Sequence, residues 1–546
     1  MTNIAQTKTA WWQEGIIYQV YPRSYQDSNA DGIGDLRGII SRIDYLRELG
    51  VKAIWISPIY PSPMADFGYD ISDYEAISQE FGSMADFDEL LAKVHAAGMK
   101  LILDLVPNHT SDEHPWFKES RSSLNNPKRD WYIWKDARSD GGPPNNWLSV
   151  FGGAAWEWDE STKQYYYHAF LVKQPDLNWR NPEVEAAMHD VMRFWLDKGV
   201  DGFRIDAMWH MIKDLQWRDN PRNPDYKEWM GSYEQQLAVY STDQPEMHDI
   251  VARMRKLVDE YDDRLIIAEV YLPPSKLVAY YGMREKEAHL PFNFMLISLP
   301  WHAQAISTAI DQYEGALGPD NWPNWVLGNH DQPRISSRVG LGQAKVAAIL
   351  LLTLRGTPTL YYGDEIGMRD VPIPWDEVRD PQGLNMPDKN LSRDPERTPM
   401  LWNAGKNAGF TEGKPWLRLD KTFLRRNVEE QEKDTFSHYT IYRKLINLRQ
   451  QELSLMTGAY LPVFADQQLL AYIRHAEGHP AFLIVLNLTH KPAYFRPGTI
   501  RFTGVILIDT LPEQEEVSVK DTIDVFGDEG LVVRLDEWEP ISPKPA

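Results

Sequence analysis

The sequence predicts an α/β architecture: a (β/α)8 TIM barrel with a small domain inserted after its third strand and an all-β sandwich domain at its carboxyl end. Three observations predict it. Eight continuous apolar runs alternate with helical segments between residues 15 and 362. Such runs suit strands buried on both faces, and the intervening helices imply parallel pairing. The connection after the third run is far longer than the ~2–6 residues of an ordinary strand–helix loop. Beyond residue 458 strands follow one another without helices, the pattern of a separate all-β unit.

Taken in order, residues 15–20 read as the first strand, followed by a helix with Leu36, Ile39, Ile40, Ile43 and Leu46 on one face and Gly50 as its stop. Residues 53–57 form the second strand, and Phe87, Leu90, Leu91 and Val94 line the next helix, which ends at Gly98. The third strand covers 100–106. A stretch bearing Trp116, Trp131, Trp134, Trp147, Trp156 and Trp158 then interrupts the series and defines an inserted domain at 107–174. Val184, Met188, Val191 and Trp195 mark a helix closed by Gly199, and strands at 200–206, 264–270, 293–299, 324–330 and 357–362 complete the eight. The barrel therefore comprises 1–106 and 175–458, and the β-sandwich 459–546, with strands at 469–474, 481–487, 505–509 and 531–535. An open doubly wound sheet is the rival arrangement, but no Gly-rich dinucleotide loop follows the first strand.

The chain has 546 residues, 43% hydrophobic and 25% charged, which excludes a disordered or fibrous protein. Its formal charge of −22 argues against nucleic acid and anionic membrane surfaces as partners. No apolar stretch reaches the ~18–20 residues needed to span a bilayer, and residues 1–10 lack the apolar core of a secretory signal. With no cysteine, disulfides and thiol chemistry are excluded, and a cytoplasmic location is expected. The aromatic content is high, with 21 Trp, 26 Tyr and 18 Phe. Most of these rings belong to the core, but flat rings beside polar groups also grip sugars.

In such a barrel the chemistry sits at the carboxyl ends of the strands. Asp104, Asp206, Glu269 and Asp331 occupy that position, each after an apolar run where an ionised group is costly unless compensated. Any one of them could simply cap the next helix; four on eight strands is harder to dismiss. His109 and His330 join them at the same mouth, and Arg204, two residues before Asp206, should share its inward face. Converging carboxylates raise the pKa of at least one of their number. A charged nucleophile held by an arginine, beside a protonated acid, suits cleavage of an acetal through an oxocarbenium-like transition state. A divalent-metal hydrolase would need a third close ligand beside the Asn-His pairs, and phosphoryl transfer would need a phosphate-cradling loop.

These segments resemble the conserved regions of the α-amylase family of retaining glycoside hydrolases: residues 104–109 (DLVPNH), 202–206 (GFRID), 268–270 (AEV) and 328–331 (GNHD). Residues 174–178 (QPDLN), 64–70 (MADFGYD) and 397–400 (RTPM) are similar to the α-glucosidase and oligo-1,6-glucosidase branch. The resemblance implies Asp206 as nucleophile, Glu269 as general acid/base and Asp331 as the third carboxylate. It places Asp66, Tyr69, His109, Arg204, His330 and Arg397 around a terminal glucose, with an Asp66–Arg397 ion pair closing the pocket and making the enzyme exo-acting. In this branch Ala or Thr after the nucleophile accompanies α-1,4 preference and Val accompanies α-1,6; here it is Ala207. The implied activity is a retaining α-glucosidase acting on short, maltose-like oligosaccharides, with possible transfer to sugar hydroxyls. Relatives that split isomaltose-like bonds or convert sucrose or trehalose are the alternative. Phe67, and Leu401-Trp402-Asn403, depart from the branch pattern at positions expected on the pocket rim.

Asp27, Asn29, Asp31 and Asp35 place oxygen donors at positions 1, 3, 5 and 9 of a loop with Gly32 at position 6, like the start of a calcium loop. Position 12 is Gly38, so it is no complete EF-hand, and a metal-free Asp/Asn/Gly-rich turn is the alternative. The resemblance implies a structural Ca²⁺ or Mg²⁺ there, with the Ile33 carbonyl contributing, and no organic cofactor. A monomer or homodimer is expected.

Overall fold

The computed structural model describes residues 9–511 and 514–541; most of the polar 1–10 segment lies outside them. Eight parallel strands form the central sheet: β1 (Ile17–Val20), β2 (Ala53–Ile56), β3 (Lys100–Leu105), β7 (Gly202–Ile205), β8 (Leu265–Ala268), β9 (Leu290–Pro291), β10 (Asn324–Val326) and β11 (Thr357–Tyr361). Their hydrogen-bonded order, β10-β11-β1-β2-β3-β7-β8-β9, is the chain order read around a ring. The α/β barrel expected from the alternating runs is therefore the fold.

The sixth strand is displaced from its expected place. It is Leu290–Pro291, paired with Ile267 and Ala268, whereas 293–299 contains the short helix Met295–Ser298. The Asn293 side chain accepts the Met295 N–H at 3.0 Å and turns the chain into that helix. An apolar run of this length fits a buried helix as well as a strand, so periodicity could not separate the two.

Local signals place the other elements. Ser83 and Asp86 form a reciprocal capping box at the start of Met84–Ala96. Asp35 caps Leu36–Ser41 by accepting the Gly38 N–H. Gly199 ends Pro182–Lys198 in the left-handed region (φ 102°), which a Cβ would disfavour.

Within the insertion, β4 (Trp134–Lys135), β5 (Trp156–Asp159) and β6 (Gln164–Tyr167) make a three-stranded antiparallel sheet in the order β4-β6-β5. Its own core contains Ile133, Trp147, Trp156 and Tyr167, whereas Trp116, Trp131 and Trp134 pack with the barrel core.

The carboxyl-terminal unit has β12 (Ala459–Ala465), β13 (Leu469–His475), β14 (Ala481–Asn487), β15 (Ala493–Phe495), β16 (Ile500–Asp509), β17 (Ser518–Lys520), β18 (Ile523–Val525) and β19 (Gly530–Pro540). Six of them form an antiparallel sheet, β12-β13-β14-β19-β16-β17, and β15 pairs with β18. Strand alternation divides the two faces of the large sheet. Leu469, Ala471 and Ile473 share a core with Phe495 and Ile523 of the small ribbon, while Leu470 and Tyr472 join the barrel core. Among the described residues no helix is long and apolar enough to cross a membrane.

Candidate active site

Parallel register brings the polar residues to one level at the carboxyl end of the barrel. Asp104 is paired with Arg204 across β3 and β7, and Arg204 with Ile267 across β7 and β8. The next peptides continue the ladder, Asp206 N–H donating to the Leu105 carbonyl and Glu269 N–H to that of Ile205. Side chains two residues apart on a strand share a face, so Arg204 and Asp206 meet as expected.

The buried Arg204 guanidinium is the hub. Its Nη1 donates to Asp206 Oδ1 at 2.5 Å and to Asp104 Oδ1 at 2.9 Å, and its Nη2 lies 2.8 Å from Glu269 Oε1. Asp104 is also held by Trp55 Nε1 at 3.1 Å and the Tyr69 hydroxyl at 3.0 Å, both on its other oxygen. Glu269 Oε2 accepts the Ala207 N–H at 2.7 Å. Ala207 reaches that position only by adopting a left-handed backbone (φ 45°), a conformation costly for a residue with a Cβ and typical of functional turns.

Burial pushes the Asp206 carboxyl well above its ordinary range; Arg204 opposes this, and the negative charges of Glu269 and Asp104 add to it. Glu269 is raised by burial as well, against the pull of Arg204 and with a push from Asp331. Asp104 is pushed up to about 6 by burial, opposed by Arg204. Asp206 and Glu269, both held by the one guanidinium, are thus raised, chiefly by burial, with Arg204 opposing the rise.

Asp331 behaves oppositely. Burial alone would raise it, but its partners overcome that and hold it well below the usual carboxylate range. His330 lies 3.3 Å away, Arg393 Nη1 3.0 Å and Arg397 Nη2 2.8 Å. Burial also keeps His330 neutral, and its Nδ1 accepts from the Gln19 amide at 2.7 Å, so it offers Nε2–H to Asp331. With the imidazole neutral, the charges that depress Asp331 are the guanidiniums of Arg393, Arg397 and Arg204. His330 is clamped between Tyr69 and Tyr21, stacked at 5.3 and 5.6 Å. His109 is neutral for the same reason, its pKa lowered to about 4 by burial, and its Nε2 donates to the Tyr69 carbonyl at 3.1 Å.

A cavity of about 760 Å³ opens above these groups, lined by Asp66, Tyr69, His109, Asp206, Glu269, His330 and Asp331. One expected contact is replaced. Asp66 pairs with Arg393, not Arg397: Arg393 Nη2 donates to Asp66 Oδ1 at 2.7 Å and its Nη1 reaches Asp331. Arg397 lies behind the wall, its Nε donating to the His330 carbonyl at 2.7 Å. The two arginines sit at opposite ends of one 3-10 turn, Asp394–Arg397, so only the arginine preceding that turn faces the cavity. Arg393 also stacks on Phe151, 4.6 Å from the ring centroid. Phe151 and Phe170 show that the insertion supplies cavity wall, a contribution that composition alone could not assign.

The family model of the α-amylase catalytic domain matches residues 19–458. The chain belongs to the α-amylase family of glycoside hydrolases. The oligo-1,6-glucosidase of Parageobacillus thermoglucosidasius is 38% identical over 97% of this chain and 98% of its own length. Maltase 1 of Drosophila virilis is 41% identical over 88% of this chain and 79% of its own. Among solved structures, the isomaltulose synthase SmuA of Protaminobacter rubrum matches with a TM-score of 0.90 at 35% identity, covering 97% of this chain and 100% of that one.

Several positions singled out in the sequence of this α-amylase-family protein sit elsewhere than expected. Phe67 packs on Trp416 at 5.3 Å and beneath Arg23, while Leu401 and Trp402 belong to the core; none of them lines the cavity. Gln174 does act at the site, donating to Asp66 Oδ2 at 3.0 Å. Asp380 escaped sequence reasoning altogether. It is buried, and its Oδ1 accepts from both Arg393 Nε at 2.9 Å and Nη2 at 2.7 Å, while its Oδ2 accepts the Arg393 backbone N–H at 3.0 Å.

In the 27–35 loop the donors are all hard oxygens, the right class for Ca²⁺ or Mg²⁺. Asp27 accepts the N–H groups of Asn29, Ala30 and Gly32, Asn29 that of Asp31, and Asp31 that of Ile33, while Asp35 accepts from Ser28. Among the described residues no three acidic or histidine side chains gather closely enough to hold an ion. The loop thus has the donors in alternation, with its acidic groups aimed at its own backbone.

Proposed function

We propose that this protein is an exo-acting, retaining α-glucosidase that removes terminal α-linked glucose from short oligosaccharides, α-1,4 links first. The observation that carries the reading is the pair Asp206 and Glu269 on one guanidinium, in a cavity lined beside Asp331 by the buried Asp66–Arg393 ion pair. An ion pair there leaves room for one terminal sugar and offers charged groups to its hydroxyls.

In this mechanism Glu269 carries the proton and Asp206, ionised against Arg204, attacks C1. Glu269 protonates the leaving oxygen, then removes a proton from water, or from a sugar hydroxyl in transfer. Arg204 holds both carboxyls in line and disperses the charge on Asp206. Asp331, kept ionised by Arg393 and Arg397, faces the developing oxocarbenium charge. In support of α-1,4 preference stands Ala207 beside the nucleophile. The second reading is oligo-1,6-glucosidase activity or sucrose isomerisation, favoured by the names of the similar proteins.

Incubation with maltose, isomaltose, sucrose and trehalose, with each product identified and the first anomer followed by NMR, tests the proposal. Maltose should be cleaved fastest, with α-glucose appearing first. β-Glucose as the first product would refute retention, and isomaltose or isomerised sucrose leading the panel would favour the second reading. The 27–35 loop is proposed to take Ca²⁺ or Mg²⁺ through Asp27, Asn29, Asp31, Asp35 and the Ile33 carbonyl, in a structural role remote from the reacting carboxylates. Location in the cytoplasm remains part of the proposal.

A further inference from the structure

Two residues that bracket Asp66 have a left-handed backbone, Met64 at φ 61° and Phe67 at φ 48°. That conformation is unfavourable for side chains of this size and persists only where surrounding contacts impose it. Part of the restraint is local. Asp70 accepts the Ala65 N–H at 2.8 Å and the Asp66 N–H at 2.9 Å, and the Met64 N–H donates to Ser62 Oγ at 2.9 Å. The rest comes from a distant segment, the short helix Pro22–Tyr25 that follows β1. The buried Arg23 guanidinium lies 5.3 Å from the Phe67 ring centroid and 4.9 Å from that of Trp416, and its Nη1 is 3.7 Å from Met64 Sδ. The same nitrogen is ion-paired with Glu80. One cation therefore meets both side chains that flank Asp66. Neither Arg23 nor Phe67 lines the cavity, whereas Asp66 does. Phe67 is also a position at which this chain departs from the branch pattern, so its ring contact is a feature of this protein.

We propose that Arg23 and Phe67 are positioning residues for the terminal-sugar pocket. The cation, held between Phe67 and Trp416, fixes the strained 64–67 turn, and with it the level at which Asp66 meets the sugar hydroxyls. A binding carboxylate has to be held to within about 0.5 Å to serve one sugar well, and a turn with two unfavourable residues does not hold that position unaided. The inference rests on the α-glucosidase reading above, in which Asp66 touches the terminal glucose.

The test is steady-state kinetics on maltose, with glucose as a competitive inhibitor, for Phe67→Asn and Arg23→Lys. Asparagine tolerates the left-handed backbone and removes the ring; lysine keeps a charge for Glu80 and loses the planar face that stacks. A cation–π contact of this kind corresponds to about fivefold, so each variant should raise KM for maltose and Ki for glucose by about that factor, with kcat changed less than about twofold. In an Asp66→Asn background, Phe67→Asn should have no further effect on either constant, because the ring acts through that carboxylate. A merely structural role lowers the amount of folded enzyme, and so apparent kcat, and leaves KM and Ki where they were. With maltose cleaved by the unchanged protein, three results overturn this inference alone: unchanged KM and Ki in either variant, a loss confined to kcat, or the full effect persisting in the Asp66→Asn background. Failure of the unchanged protein to release glucose from maltose overturns the α-glucosidase reading and this inference with it.

Discussion

Arg393 Nη2 binds Asp66 at 2.7 Å while Nη1 of the same guanidinium binds Asp331 at 3.0 Å. One buried cation thus ties the wall of the cavity to the third carboxylate of the site. Replacing it by methionine leaves two acidic groups facing each other without their shared partner, a change that costs several kcal/mol when the pair is buried. Arg393→Met should raise KM for maltose at least about tenfold and weaken the preference for short over long maltodextrins. Steady-state kinetics on a chain-length series checks this; an unchanged KM would remove Arg393 from the binding role.

Asp380 does not line the cavity, yet it fixes the plane of that guanidinium through two contacts. Asp380→Asn keeps the shape and loses the charge, so Arg393 should tilt. The expected signature is a KM increase of about tenfold with kcat changed less than threefold, because Asp380 acts through substrate placement and not through the reacting carboxyls. Equal losses in kcat, or none in KM, would contradict it.

The pH profile follows from the two raised carboxyls. Asp206 and Glu269 are both shifted upward, chiefly by burial, so the bell of kcat/KM should sit above the range of exposed carboxylates, about 4. Below it the second proton binds and silences the nucleophile; above it the general acid is lost. Asp331 is one of the charges that raise Glu269. Asp331→Asn removes that repulsion, makes Glu269 easier to ionise, and should move the alkaline limb of the residual activity to lower pH. A shift to higher pH would reverse the sign of the argument.

Ala207 sits at φ 45°, where a β-branched side chain is strained beyond the ordinary cost of ~1–2 kcal/mol for a left-handed residue. Ala207→Val should lower stability in urea unfolding by about 1–2 kcal/mol, and Ala207→Gly should not. If valine proves neutral, the turn is not strained there.

Chelation addresses the 27–35 loop. If a cation joins its oxygens in solution, EDTA should lower the melting temperature and leave initial rates at low temperature intact. Immediate loss of turnover would give the ion a catalytic role instead.

The strand order, and with it the level at which Asp104, Arg204, Asp206 and Glu269 meet, was legible because a buried parallel strand leaves a continuous apolar run ending in its functional residue. The same logic failed at 293–299, where an apolar segment too short for a periodicity to develop became a turn and a short helix. At the metal-like loop the residue types were legible, whereas the direction of each carboxylate was not.

Chemistry that repeats with the period of a strand or a helix is written along the chain, since backbone geometry alone converts spacing into a shared face. The partner of Asp66 is not of that kind. Arg393 and Arg397 are chemically identical and separated by a single tight turn; which of them faces the sugar pocket was decided by Asp380 and Phe151, brought in from other segments. Tertiary packing chose between two equal charges because only one guanidinium could satisfy three carboxylates and an aromatic face at once.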